Sequence, residues 1–175
     1  MSGGDRRGIV GAAGPQVAPY GSWGSPIEVE LVAGTAVGLS EPWLDGDDAY
    51  WLETRPSEGG RKTLLRHGLD GRTVELTPLP FRVGNRVHEY GGGSYAVDGG
   101  RVVASSQADG RLYRLDPDAL TDPEAITPEG PWRYADLWFD PRFPRLYAVR
   151  ETHDADRPND PALVVNEVVA LGLDG

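Results

Sequence analysis

The chain has 175 residues with 24 Gly, 15 Pro, no Cys and a formal net charge of −10. That length suits one domain of ordinary size, and the missing Cys excludes disulfides, thiolate catalysis and Cys-based zinc sites. Acidic residues outnumber basic ones 27 to 17, and no local basic patch offsets them, so nucleic-acid binding is not expected. Hydrophobic residues make up 39% of the chain, with five Trp and seven Tyr, which is enough for a packed core.

No stretch approaches the ~20 apolar residues of a membrane span, so no membrane partner is expected. Arg6-Arg7 resembles the start of a twin-arginine export signal. The apolar run that follows, Ile9-Val10-Gly11-Ala12-Ala13-Gly14, is too short and too rich in Gly for one, so the expected location is the cytoplasm. Residues 1–36 read as a flexible N-terminal arm, Gly- and Pro-rich at first. Within it Ile27-Glu28-Val29-Glu30-Leu31-Val32 alternates apolar and acidic residues, as a half-exposed strand or the start of a short helix would.

From about Val37 the sequence repeats itself. Trp43-Leu44-Asp45-Gly46, Ala96-Val97-Asp98-Gly99 and Trp138-Phe139-Asp140-Pro141 form one series, spaced 53 and 42 residues apart. Each is followed by a second apolar run: Ala49-Tyr50-Trp51-Leu52, Val102-Val103-Ala104 and Leu146-Tyr147-Ala148-Val149. A third series is Leu64-Leu65-Arg66, Leu112-Tyr113-Arg114 and Val168-Val169-Ala170. A fourth ends in Thr-Pro, at Thr77-Pro78 and Thr127-Pro128, 50 residues apart. Asp-Gly turns supply the positive φ angles of tight hairpins. Four antiparallel strands every 40–50 residues are the pattern of a β-propeller blade. The predicted fold is all-β, a partial β-propeller over 37–175 with blades near 37–78, 87–128 and 134–175, the last lacking its fourth strand. An irregular β-sandwich is the competing architecture. Since propellers typically close with four to eight blades, the chain is expected to be the N-terminal piece of a longer protein.

Several runs invite a chemical reading. Gly92-Gly93-Ser94-Tyr95-Ala96 comes within one residue of the Gly-x-Ser-x-Gly nucleophile elbow, but a hairpin turn follows where a helix should start. No catalytic residue is therefore assigned. His88-Glu89 combines a titrating imidazole with a carboxylate, although neighbours in a strand point to opposite faces. The adjacent Gly91-Gly92-Gly93 suggests a close backbone approach or a bulge. A structural role at the start of the second blade and a substrate-channel role for His88, Glu89 and Tyr90 both remain open. Asp45, Asp47 and Asp48 lack the Glu that a calcium loop needs at its twelfth position, where Pro56 stands, and read as a solvated turn. No metal and no cofactor are expected. Residues 152–161 read as an exposed loop. Trp132, Tyr134, Trp138 and Phe139 read as packing between blades.

Three runs carry a family resemblance: Pro19-Tyr20-Gly21-Ser22-Trp23-Gly24-Ser25-Pro26-Ile27, Arg86-Val87-His88-Glu89-Tyr90-Gly91-Gly92-Gly93, and Pro128-Glu129-Gly130-Pro131-Trp132-Arg133-Tyr134-Ala135-Asp136. They resemble the beginning of serine peptidases of the prolyl oligopeptidase family, most like its dipeptidyl-aminopeptidase and acylaminoacyl-peptidase branch. The likeness extends over nearly all of the chain beyond residue 18. It implies an N-terminal propeller acting as lid and substrate filter for a C-terminal α/β-hydrolase domain, which carries the Ser-Asp-His triad and hydrolyses short peptides by acyl transfer. No triad residue maps onto this chain, which alone is expected to be inactive. The resemblance also gives Tyr20 and Trp23 a role in contact with the hydrolase domain. Two other readings stand beside it: a propeller-like binding module that closes by self-association, and a metal-dependent lactonase-type propeller with inward carboxylates on several blades.

Overall fold

A computed structural model describes residues 17–22, 24, 27, 36–158 and 160–173. Most of the arm, Trp23 included, lies outside these residues. Among the described residues, eleven strands form three antiparallel sheets. The first joins β1 (Gly38–Asp45), β2 (Asp48–Arg55), β3 (Arg61–His67) and β4 (Thr73–Glu75) in sequence order. The second joins β5 (Tyr95–Asp98), β6 (Arg101–Ser105), β7 (Leu112–Leu115) and β8 (Glu124–Ala125) in the same way. The third has three strands, β9 (Trp132–Phe139), β10 (Arg145–Thr152) and β11 (Val165–Gly172), with β10 in the centre. The fold is a partial β-propeller of three consecutive blades, without an α-helix among the described residues.

The turns follow from the Asp-Gly and Asp-Pro signals. Asp98 pairs with Arg101 across Gly99 and Gly100, which take φ values of 58° and 77°, the backbone of a two-residue hairpin turn. Asp45 pairs with Asp48 across Gly46 at φ 59°. In the third sheet the turn after Phe139 is longer. There the Asp140 carboxylate accepts from the Arg142 and Phe143 N–H groups at 2.8 and 3.3 Å.

The Thr-Pro repeats have a common purpose. Thr77 Oγ1 accepts the Leu64 N–H at 2.8 Å, and Thr127 Oγ1 accepts the Leu112 N–H at 3.0 Å. In each sheet the residue before the Thr donates its own N–H to that same leucine's carbonyl, Leu76 to Leu64 and Ile126 to Leu112. The hydroxyl thus continues a ladder at the point where Pro, which has no N–H, ends the strand.

The core lies between the sheets in two layers. Tyr95, Val97, Val102 and Ala104 of the middle sheet pack with Tyr50, Leu52 and Leu64 of the first. Ala96, Val103 and Leu112 face the other way, onto Tyr134, Leu137, Phe139, Leu146 and Ala148 of the third. Alternating side chains therefore enter different layers. Burial on both faces explains why Val102-Val103-Ala104 is apolar without a break. Tyr134 and Phe139 pack as expected, whereas Trp138 is largely exposed and meets Trp43 edge-on at 6.2 Å.

Polar bonds stitch the seams. Asp45 accepts the N–H groups of Gly99 and Gly100 at 3.0 and 2.7 Å, joining the hairpin turns of sheets one and two. Arg66 reaches the Pro117 carbonyl at 3.0 Å and Asp118 at 2.8 Å. Ser105 Oγ donates to the Tyr134 carbonyl at 2.9 Å. The first strands of the sheets stand side by side, β5 touching both β1 and β9.

Candidate functional site

Residues 85–94, which lead into β5, fold into a turn where the three sheets meet. Asn85 pins it. Its Oδ1 accepts the Gly92 N–H at 2.9 Å while its Nδ2 donates to the Gly92 carbonyl at 3.1 Å. Between these ends Val87–Glu89 form a single 3₁₀ turn, closed by Glu89 N–H to the Arg86 carbonyl and Gly91 N–H to the Val87 carbonyl, both 2.9 Å. The sequence suggested a strand here, with His88 and Glu89 on opposite faces. Instead both residues take left-handed backbone, φ 54° and 65°. That conformation is uncommon for residues with a side chain, and it persists where surroundings impose it.

The glycines that follow mark a close approach, but to a side chain. A Cβ on Gly92 would stand 2.7 Å from Asp136 Oδ1. The same carboxylate oxygen accepts the Gly93 N–H at 2.7 Å, and the Asp136 N–H donates to the Gly93 carbonyl at 2.8 Å. On the other side Glu41 Oε2 accepts the Ser94 N–H at 2.7 Å, and Tyr95 Oη donates to the Glu41 carbonyl. Burial, with Glu41 beside it, pushes the Tyr95 phenol well above its ordinary pKa.

Glu41 and Asp136 occupy matching places. Each sits at an irregularity in pairing, in β1 between Ser40 and Trp43 and in β9 opposite Tyr147 and Val149, with φ 52° and 53°. A bulge re-aims a side chain, and here two bulges turn carboxylates from sheets one and three onto consecutive N–H groups of the segment entering sheet two. These inward carboxylates bind backbone. Among the described residues no group of three or more His, Asp or Glu side chains could hold a metal ion.

A second tie comes from β10. The His88 N–H donates to Glu151 Oε1 at 3.0 Å. Glu151 Oε2 lies 2.8 Å from His153 Nε2 and 3.4 Å from an Arg133 nitrogen. Burial opposes ionisation of Glu151. The His88 N–H, His153 and Arg133 outweigh it and hold the carboxyl below its ordinary range. His153 read as part of an exposed loop, but it is 6% exposed: it follows directly on β10, and its N–H donates to the Pro131 carbonyl at 2.8 Å.

The predicted site residues themselves face outward. Tyr90 is 97% exposed, and the His88 and Glu89 side chains are mostly exposed too. The turn separates two clefts. One of about 480 Å³ is lined by Glu41, Lys62, Arg86, Tyr90 and Gln107. The other, of about 510 Å³, is lined by Arg86, Gln107, Trp132, Arg133 and His153. Ser94 is buried, with its Oγ 3.2 Å from the Gly92 carbonyl, and no helix follows it. Tyr20 lies on the surface far along the chain from this turn and is 99% exposed.

Sequence reasoning did not single out Glu41, Asn85 or Glu151 for this site. Asp136 lay inside a recognisable run, but nothing local signalled its reach to Gly93. The contacts of Glu41, Asp136 and Glu151 with the turn span 53, 43 and 63 residues.

No family profile and no curated protein sequence matches the chain. Solved structures do match. A puromycin hydrolase crystal structure superposes with a TM-score of 0.77 at 33% identity, over 91% of this chain and 25% of that one. A puromycin-hydrolyzing peptidase from Mycobacterium tuberculosis superposes with a TM-score of 0.75 at 39% identity, over the same shares. A mutant puromycin hydrolase complexed with PGG gives 0.76 at 33% identity, over 90% of this chain and 25% of that one. The chain spans about a quarter of the length of these proteins.

Proposed function

We propose that this chain, which belongs to the prolyl oligopeptidase family through its β-propeller portion, serves as lid and substrate filter for a C-terminal α/β-hydrolase domain. The observation that carries this reading is the superposition on puromycin hydrolase over 91% of the chain at 33% identity. In the proposed whole enzyme the hydrolase domain supplies the serine, histidine and acid, and short peptides or aminoacyl amides such as puromycin are the substrates. His88, Glu89 and Tyr90 face the substrate. Their outward side chains on a turn pinned from two neighbouring sheets support that role, since a selective surface must be both reachable and fixed. Tyr20 and Trp23 contact the hydrolase domain, and the enzyme works in the cytoplasm.

Two measurements on the full 175-residue chain test this. Assays with aminoacyl-p-nitroanilides and with puromycin are expected to show no turnover; turnover abolished by Ser94→Ala would overturn the reading. Titration with unblocked tripeptides, followed by amide NMR, is expected to shift His88, Glu89 and Tyr90. Shifts confined to residues remote from that turn count against a filtering role for it.

A second reading, self-association into a closed binding module, is favoured by one feature. Leu39 and Leu44 of β1 and Val165 and Val168 of β11 are exposed on edge strands of the two end sheets.

A further inference from the structure

We infer that Glu151 of β10 is the positioning residue for the His88–Tyr90 turn, with Arg133 of β9 as its second arm. The inference deepens the reading of that turn as the substrate-facing part of the propeller and rests on it. Glu151 is 3% exposed, and a carboxylate that deep needs a partner at each oxygen. One oxygen takes the His88 N–H; the other takes His153 and faces Arg133.

The histidine in turn is locked. Its Nδ1 lies 2.9 Å from the Pro158 carbonyl and its Nε2 lies 2.8 Å from Glu151, so an oxygen faces each ring nitrogen. The neutral ring carries a proton on one of these nitrogens and the charged ring on both, so at least one contact is a hydrogen bond in either state. In either state the ring cannot turn without breaking a buried bond, and the carboxylate cannot swing away from the turn.

The turn cannot hold its own shape in the same way. Its internal bonds use the N–H groups of Glu89 and Gly91 and leave the His88 N–H to Glu151. Two successive left-handed residues need an outside constraint. Arg133 adds one, donating to the Arg86 carbonyl at 3.0 Å and to Glu89 Oε1 at 3.2 Å. The direction in which His88 and Glu89 point is therefore set by the third sheet, although the turn belongs to the segment entering the second.

Amide hydrogen exchange on the full chain tests this against simple glue between sheets. In Glu151→Ala the His88 amide is expected to exchange about tenfold faster or more, the loss of a bond to a charged acceptor. The β5 and β6 amides should change less than about twofold. Glu151→Gln keeps an acceptor for that N–H and should fall between native and Ala. A His88 amide unprotected in the native chain, protection unchanged in Glu151→Ala, or equal losses throughout β5 and β6 would each overturn the proposal. Should Glu151→Ala fail to fold, Glu151→Gln decides alone: faster exchange confined to the turn supports positioning, and uniform or absent change refutes it. Failure of the substrate reading is separate, because Tyr90→Ala, which removes a side chain that is 97% exposed, alters peptide affinity under that reading and leaves His88 exchange as it was.

Discussion

The α-carbon of Gly92 faces the Asp136 carboxylate so closely that a Cβ added there would stand 2.7 Å from Oδ1 and 2.9 Å from Oδ2. Asp136 cannot yield freely, because the same Oδ1 holds the Gly93 N–H and its own backbone bonds Gly93 in return. Gly92→Ala is therefore expected to break the Gly93 bond or displace β9, destabilising the chain by about 1–3 kcal/mol. Urea titration followed by Trp fluorescence checks it, and Gly99→Ala provides a contrast. Gly99 has open space around its Cα, so only its left-handed φ of 58° resists the side chain.

Thr77 and Thr127 make the same bond to the third strands of their sheets. Replacing either by Val keeps the volume but orphans a buried N–H, that of Leu64 or Leu112. Each change is expected to cost about 1–3 kcal/mol, and Thr77→Val the more. Thr77 Oγ1 also bonds Thr63 Oγ1 at 2.9 Å, inside the network that contains buried Arg61 and Glu75. Equal losses at the two positions would show that this network contributes nothing at Thr77.

These two cases bear on how far the residues alone could lead. The Asp-Gly turns, the doubly buried middle strands and the Thr-Pro repeats were legible because each depends on neighbours within a few positions or on one repeating period. The three-sheet propeller followed from that repetition. The site was legible only in outline. Residues 87–93 stood out by composition, but His88-Glu89 read as a strand pair because its left-handed backbone is imposed by Glu151, 63 residues away. His153 looked solvated among Asp, Asn and Pro, because the acceptors that bury it, Glu151 and Pro158, are unremarkable by composition.

Acid should loosen the same seam. Glu151 is held below its ordinary pKa by its partners despite its burial, so the folded chain binds that proton less readily than the unfolded one. Its contribution is fully present above the unfolded carboxylate pKa, near 4.5 in an unperturbed Glu, and is lost as the pH falls through the lower folded value. Glu75 is lowered too: burial again opposes ionisation, but bonds from Arg61, Arg55 and Thr63 prevail. Unfolding free energy measured from pH 6 downward should therefore fall with acidification, and Glu151→Gln should flatten that fall. An unchanged slope in the variant would mean that Glu151 gains nothing from His88, His153 and Arg133.

Exposure of the end sheets has a consequence in solution. Leu44 of β1 is 76% exposed, as is Val168 of β11. The outer edge of β11 offers backbone N–H and carbonyl groups on a strand that alternates little, Val165 to Gly172 being mostly exposed. Apolar side chains beside an open edge favour pairing with another chain. Light scattering of the 175-residue chain should thus show a particle mass that rises with concentration, and the double change Leu44→Asp, Val168→Asp should lower it towards that of one chain. A discrete oligomer of fixed size, unaffected by dilution, would instead support the self-closing module. Under the lid reading, contacts between isolated chains only substitute for the neighbouring blades, and no single stoichiometry is favoured.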